Sequence, residues 1–416
     1  MIQDHPAFSV QDIRDGHLYF AGKSVAILAR DYGTPTYFYD AGQIDKRLQN
    51  LRSIFPENLH LNYAVKANPM GQLLKFMRMR VDGFDVASKT ELELALETGM
   101  PAKEICLTGP AKSDDDLISA LGAGALINLD SEEDCRRALA LARSHNVQLH
   151  CSLRINPDFI LRGAGVKMGG QASPFGTDVE RIPAMVEKLL ASGVAFYGFH
   201  CFTGSQCLNE QAIIDNFDQT LGLFADLAAH CKVKLRRLTI GSGIGIPYFK
   251  NDRALDMDVV AKGFADRLAR LEPLLQGAQI CLESGRYLVG EAGIYVCQVV
   301  DRKNSRDKTF LTTDGGMHHH LAASGNFGQV LRRNYPVMLA ATNLSKHHEQ
   351  VTVTGCLCTP LDILADQITL QKAQLGDYIV IMQSGAYGRS ASPAGFLSHP
   401  PAQEVLLDDE DDDKGL

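Results

Sequence analysis

From residue 59 to about 285, short apolar runs alternate with longer amphipathic ones, the pattern of successive β-α units. Eight runs predict strands: "LHLNYAV" (59–65), "GFDVA" (83–87), "EICLTG" (104–109), "ALINLD" (125–130), "QLHCSLRIN" (148–156), "AFYGFHCF" (195–202), "LRRLTIG" (235–241) and "AQICLES" (278–284). Between them, stretches such as "MGQLLKFMRM", "SKTELELALETGM", "SEEDCRRALALARSH" and "DNFDQTLGLFADLAAH" have helical spacing. Several open on Ser, Thr or Asp as a cap. Eight strands each followed by a helix predict an α/β fold, a closed (β/α)8 TIM-type barrel with its active site at the C-terminal strand ends.

Past residue 286 the texture changes to β-branched and aromatic runs, among them "GIYVCQVVDRK", "KTFLTTD", "EQVTVTGCLC" and "GDYIVIMQSG". These predict a mainly β, β-barrel-like C-terminal domain. The N-terminal segment, with the hairpin-like "GHLYFAGKSV", is expected to complete it. The expected division is therefore 38–285 for the barrel, 1–37 with 286–407 for the β domain, and 408–416, "DDEDDDKGL", as a disordered acidic tail.

Composition narrows the function classes. A chain of 416 residues is long enough for two domains. A formal charge of −8 offers no basic footprint for nucleic acid, so small-molecule chemistry is expected. Ten cysteines, from Cys106 to Cys358, sit mostly in apolar runs without a CxxC pair; they read as reduced thiols of a cytoplasmic protein. No apolar run is long enough to span a bilayer, so no membrane association is expected.

Polar and glycine-rich residues collect at six of the eight predicted strand ends: Lys66; Asp85 and Ser88; Arg154 and Asn156; "HCFTGSQ" (200–206); "GSGIG" (241–245); and "ESGR" (283–286). A strand-end lysine commonly snorkels to water. Lys66, however, stands between Val65 and Ala67, and a desolvated lysine is a usable amine nucleophile. Glycines after a strand in the second half of a barrel suit a phosphate held by backbone amides. A lysine, such glycines and the Glu283 carboxylate at one mouth make a consistent set for pyridoxal phosphate, with the lysine on the aldehyde and the acid keeping the pyridine nitrogen protonated. The run "MHHH" (317–320) suggests no metal, because consecutive histidines do not share one face and no carboxylate cluster accompanies them.

With these residues in place, the chain resembles the pyridoxal-phosphate decarboxylases of the diaminopimelate, ornithine and arginine decarboxylase family, whose barrel is similar to that of alanine racemase. The likeness runs from "TPTYFYD" to "SGAYG". "YAVKANP" resembles the cofactor-lysine motif and implies Lys66 as the Schiff-base residue. "FDVAS" carries Asp85 and Ser88. "GSGIG" resembles the phosphate loop, which implies Ser242 and Gly243, with Ser205, as cofactor contacts. "ESGR" resembles the family's Glu-Pro-Gly-Arg segment; it implies Glu283 at the pyridine nitrogen, Ser284 and Gly285 beside it, and Arg286 near phosphate or substrate.

In the second domain, "CTPLD" (358–362) and "SGAYG" (384–388) match family blocks that come from the partner subunit of a homodimer. The resemblance implies Cys358 as proton donor, Asp362 as a substrate contact and Tyr387 as a phosphate contact. Where the family stacks a histidine on the cofactor ring, this chain has Phe202, an aromatic face still able to stack, with His200 two residues earlier. Thr359 stands where diaminopimelate decarboxylases carry a substrate-recognising glutamate, which speaks against diaminopimelate. "DGGMHHH", "RRNYP" and "SGAYGRSASPAGFLSHP" are similar to the exosortase-associated and carrier-protein-linked glutamyl decarboxylase offshoots. The resemblance thus implies α-decarboxylation of an amino acid or of an aminoacyl group on an acyl-carrier protein, with Arg332, Tyr335 and Thr359 toward the substrate's distal part. Diaminopimelate decarboxylation, amino-acid racemisation and non-catalytic cofactor binding are the alternatives. Racemisation would call for a tyrosine acid/base where Cys358 stands, and a non-catalytic carrier would lack the block 356–388.

Overall fold

Eight short strands, nearly all of their residues buried, form the centre of one unit: β1 (Leu59–Ala64), β2 (Gly83–Val86), β3 (Ile105–Leu107), β4 (Leu126–Leu129), β5 (His150–Asn156), β6 (Ala195–Cys201), β7 (Arg237–Gly241) and β8 (Gln279–Ser284). Such near-continuous burial belongs to a parallel sheet covered by helices. Each strand pairs in parallel with the next, and β8 returns to β1 through Ile280↔Leu59 to Ser284↔Tyr63. The ring is therefore closed. The computed structural model that shows this describes residues 13–327, 329, 332–341 and 347–408. Residues 1–12 and the acidic run 409–416 lie outside the described residues.

Polar caps set where the barrel helices begin. Ser88 accepts from the Glu91 amide, Ser113 forms a capping box with Asp116, and Ser131, Asn209 and Asp256 each accept amides of the first turn that follows. These caps satisfy donors that a helix start leaves without partners. They also fix where each strand-end loop stops.

The described residues fall into two compact units. The barrel unit is Leu48–Ile246 with Leu255–Gly285; the other holds the described residues up to Arg47, Pro247–Ala254 and those from Arg286 onward. In the second unit a mixed sheet runs in the order Val337–Leu339, Tyr378–Ile381, Gly293–Ser305, Lys308–Thr313, His348–Thr354, Ile363–Gln371. Thr36–Asp40 also belongs to this sheet, antiparallel to Gly293–Ser305 and parallel to Gln403–Leu407. The sequence reading opened the barrel at residue 38. A ring already closed by β8 and β1 has no open edge for this strand, which explains the difference.

A small antiparallel sheet, Ile13–Arg14, His17–Phe20 and Lys23–Ser24, packs into the same unit. Its Leu18 and Phe20 share a buried cluster with Phe38, Ile294, Val296, Met338, Val380 and Leu407. N-terminal and C-terminal strands thus complete one β layer. Among the described residues, no helix is long and apolar enough to cross a membrane.

Candidate active site

In the barrel unit, β1 ends at Ala64, and Val65–Ala67 forms one 3-10 turn that carries Lys66. Its Nζ lies 3.0 Å from Oδ2 of Asp85 at the end of β2 and 5.8 Å from the centre of the Phe202 ring. Sequence reasoning expected a desolvated amine. The side chain is instead 39% exposed and paired with a buried carboxylate, because the turn lifts it out of the apolar strand. Gly285 passes close to this turn: a Cβ there would lie 2.9 Å from Ala67 Cβ and 3.1 Å from Ala64 O.

From Asp85 a hydrogen-bonded chain runs through the barrel interior. Thr108 Oγ1 donates to Asp85 Oδ1 at 2.6 Å, Asn128 Nδ2 donates to Thr108 Oγ1 at 2.9 Å, and Ser152 Oγ donates to Asn128 Oδ1. Burial raises the Asp85 carboxyl above its ordinary range, and nearby Glu283 adds to this, while Lys66 and the Thr108 hydroxyl act in the opposite sense. Further round the mouth, buried Lys112 bonds Asp130 at 3.1 Å and Asp134 at 2.6 Å, and Arg154 on β5 lies 3.5 Å from Asp130. Sequence reasoning missed Thr108, Asn128, Ser152 and the Lys112 cluster. For Thr108, Asn128 and Ser152 the signal was a polar residue within an apolar strand run; Lys112, in a loop, and Asp134, in a helix, carry no such signal.

Opposite these, Nε2 of His200 on β6 lies 3.1 Å from Oε2 of Glu283 on β8. Burial opposes ionisation of Glu283, but the His200 imidazole, and then Lys66 and Arg154, outweigh it and hold the carboxyl down at about 2. Oε1 of Glu283, Nδ1 of His200 and the Ser284 hydroxyl are buried without a hydrogen-bond partner among the described residues. Unpaired buried polar atoms are costly, so a cluster of them marks a place for a polar ligand.

The Phe202 ring fits here because residue 241 is glycine; a Cβ there would come within 2.1 Å of the ring. Gly243, at φ +69°, takes a left-handed turn against Leu161. In this loop the Ser242 amide donates to Glu283 O at 2.9 Å, the Ile244 amide to the Ser242 hydroxyl, and the Gly245 amide to Cys207 O. Ser205 lies in a two-residue strand paired with Val166–Lys167. Ser88 caps the helix Lys89–Glu97, and Asn156 Nδ2 donates to Asp178 and to the Gln171 carbonyl.

In the second unit, Arg286 donates to the Tyr248 hydroxyl at 2.8 Å, and its guanidinium lies 4.5 Å from the centre of the Tyr387 ring. Burial opposes its charge, but Tyr248, Tyr387 and Tyr335 more than compensate and raise its pKa. Tyr335 is buried against Tyr248, ring centres 4.8 Å apart. Arg332 is exposed and donates to the Ile363 carbonyl. Cys358 is exposed on the loop between His348–Thr354 and Ile363–Gln371, and Thr359 Oγ1 accepts from the Leu361 amide within that loop. Asp362 is buried, and its two oxygens accept the Met317 amide at 2.6 Å and the Leu357 amide at 2.8 Å. That arrangement is a clasp between two loops.

Comparison with known proteins agrees with this chemistry. Residues 41–290 match the family described as pyridoxal-dependent decarboxylase, pyridoxal binding domain. The chain is 33% identical, over 92% of its length and 90% of the relative's, to L-glutamyl-[BtrI acyl-carrier protein] decarboxylase of Niallia circulans. It is 29% identical, over 95% and 92%, to diaminopimelate decarboxylase of Aquifex aeolicus. The crystal structure of a point mutant of diaminopimelate decarboxylase from Helicobacter pylori, complexed with L-lysine, superposes with a TM-score of 0.82 at 25% identity, covering 92% of this chain and 94% of that one. A closed barrel with its amine, carboxylates and unpaired polar atoms at the strand ends, matched over most of its length, belongs to the pyridoxal-dependent decarboxylases that act on amino acids.

Proposed function

We propose that this chain removes the α-carboxylate of an aminoacyl group presented on an acyl-carrier protein. The observation that carries the chemistry is Lys66 Nζ, 3.0 Å from Asp85 and facing the Phe202 ring, in the same barrel that buries the unpaired Oε1 of Glu283. An amine, an aromatic face and an unpaired anionic acceptor fit pyridoxal phosphate. When bound, that cofactor supplies an electron sink for the carbanion left by departing CO2.

The protein's own residues divide the remaining work. Lys66 is the amine that would hold the cofactor through its aldehyde. Asp85 orients the Lys66 ammonium. Glu283, kept ionised by His200, would keep a proton at the pyridine nitrogen, and Phe202 would offer the ring an aromatic face. Ser205, Ser242, Gly243 and Arg286 are assigned to the phosphate, with Tyr387, and Ser284 and Gly285 to the cofactor's edge. Cys358 of the partner subunit returns a proton to the product carbon in a homodimer. Its exposure suits a group that serves a second copy. Arg332, Tyr335, Thr359 and Asp362 are assigned to the substrate side, Asp362 acting through the two loop amides that it holds.

A carrier-bound substrate is favoured by the relative from Niallia circulans, which acts on an L-glutamyl group on a carrier protein. Free diaminopimelate is the second reading, favoured by the relative from Aquifex aeolicus; Thr359, in place of the glutamate expected there, counts against it. CO2 release from free L- and D-amino acids, diaminopimelate included, should be compared with release from the same groups loaded on a carrier protein. Turnover of tethered substrates alone supports the proposal. Turnover of free diaminopimelate at an equal or higher rate overturns the carrier assignment.

A further inference from the structure

In the second unit, the run His318, His319 and His320 separates into three different environments. Nε2 of His319 pairs with the Pro400 carbonyl at 2.8 Å. His320 pairs through Nε2 with the Ser384 hydroxyl at 2.9 Å and accepts the Ala323 amide on Nδ1 at 3.2 Å. His318 is fully buried, and neither of its ring nitrogens has a hydrogen-bond partner among the described residues. An imidazole enclosed with both nitrogens unsatisfied calls for a ligand.

Two further donors face it from distant parts of the chain. The His399 ring centre is 5.3 Å from that of His318, and Cys356 Sγ lies 3.9 Å from His399 Nδ1. One ligand atom from each of His318, Cys356 and His399 falls within 4.8 Å of the others. Tetrahedral zinc bonds of usual length put such atoms about 3.3–3.7 Å apart, a closure within reach of side-chain rotation. We propose that His318, Cys356 and His399 form a binding site for a zinc-class divalent cation, with the fourth position open to solvent or a small ligand.

The support around the three donors is specific. Asp362 holds the amides of Met317 and Leu357, the residues next to His318 and Cys356, while His319 holds the carbonyl of Pro400, the residue next to His399. Each donor therefore stands beside an anchored neighbour, the outer support that orients metal ligands. Gly316 and Gly355 make the clasp possible, since a Cβ at either would come within 2.6 Å of the Asp362 carboxylate. Two imidazoles and a thiolate favour Zn2+ over oxygen-seeking Mg2+ or Ca2+. His318 is buried whereas Cys356 and His399 are partly exposed, which leaves a side for entry. On binding, the Cys356 thiol loses its proton to solvent as the S–Zn bond forms; no electron changes hands. The ligands lie at positions 318, 356 and 399, a spacing no local motif reveals; the histidine run read alone, with no shared face and no carboxylate cluster, indicated no metal.

The test uses untagged holoenzyme, stripped with a chelator and titrated with Zn2+ alone. One equivalent per chain is expected by equilibrium dialysis with elemental analysis. X-ray absorption should show one sulfur at about 2.3 Å and two imidazole nitrogens at about 2.0–2.1 Å. Asp362→Asn should weaken binding by about 10–100-fold as an outer-support change, and Cys356→Ser or His399→Gln by more. Cofactor absorbance and circular dichroism of each variant report its fold. Failure to bind one equivalent, a metal shell without sulfur, or unchanged affinity in folded Cys356→Ser and His399→Gln overturns the proposal. The absorption measurement on the unmutated protein decides even if the variants do not fold.

Discussion

Nε2 of His200 stands 3.1 Å from Oε2 of Glu283, both side chains buried inside the barrel and 83 positions apart in sequence. The pairing holds Glu283 below its ordinary 4.5, at about 2, against the effect of burial. A carboxyl depressed in the fold adds stability that is fully present above its unfolded pKa and is lost as pH falls through the folded one. For this pair that window runs from about 4.5 down to about 2. His200→Leu removes the hydrogen-bond partner of a buried carboxylate, with Lys66 and Arg154 still acting on it, and should cost about 1–3 kcal/mol at neutral pH. The deficit should shrink on acidification, as protonation discharges the Glu283 carboxyl. Urea unfolding at neutral and mildly acid pH checks this; a deficit that stays constant with pH would rule out the electrostatic account.

Lys66 offers a sharper chemical test. Lys66→Arg keeps a cation facing Asp85 but removes the amine that can hold a carbonyl carbon. CO2 release should fall by more than the ~10²–10⁴-fold that losing one proton-transfer group costs. Borohydride should no longer fix cofactor to the chain, while unfolding changes little because the ion pair persists. Retained borohydride labelling in this variant would show that another lysine holds the cofactor.

What could be read from the chain before folding follows from how local each signal is. A barrel strand is a short apolar run, so β1 to β8 are visible in the sequence to within a residue or two. Thr36–Asp40 has the same texture, and only the closure of the ring by β8 and β1 excludes it. Lys66, Asp85 and Glu283 were legible because charge at the end of an apolar run is conspicuous. Asn128 and Ser152 lie among buried neutral residues, and their role rests on partners in adjacent strands. The His200–Glu283 pairing, like the alignment of His318 with Cys356 and His399, depends on which strands and loops meet in space. Hydrophobic periodicity carries no record of that.

Gly241 and Phe202 should behave as one unit. A Cβ at residue 241 would lie 2.1 Å from Phe202 Cδ2 and 2.8 Å from Cε2, so Gly241→Ala must displace the ring. Overpacking of this kind costs about 1–3 kcal/mol. It should also weaken cofactor retention if the ring covers the cofactor face. Phe202→Val alone should lose retention without that strain. In the double variant the added methyl meets no ring, so the two changes should be less than additive in stability, by about 0.5–3 kcal/mol. Additive losses in unfolding would mean that the backbone at 241 moves instead of the ring.

Cys358 is the one cysteine, among the ten, whose exposure and role can be tested together. Seven of the others are buried, Cys231 and Cys356 are partly so, and burial pushes Cys135, Cys201 and Cys281 up to about 12. The thiolate is the reactive form, so iodoacetamide at mildly alkaline pH should modify Cys358 first, as read by peptide mass spectrometry. If Cys358 returns the proton to product carbon, CO2-coupled product formation should fall in step with that modification while cofactor absorbance is unchanged. Cys358→Ala should lower turnover by ~10²–10⁴-fold, the usual loss on removing a proton-transfer group, and should make the remaining activity insensitive to the reagent. Because the substrate meets the cofactor before any proton returns, its binding should be little altered in this variant. A variant that keeps full turnover would assign the exposure of Cys358 to the loop alone and leave proton return to another group.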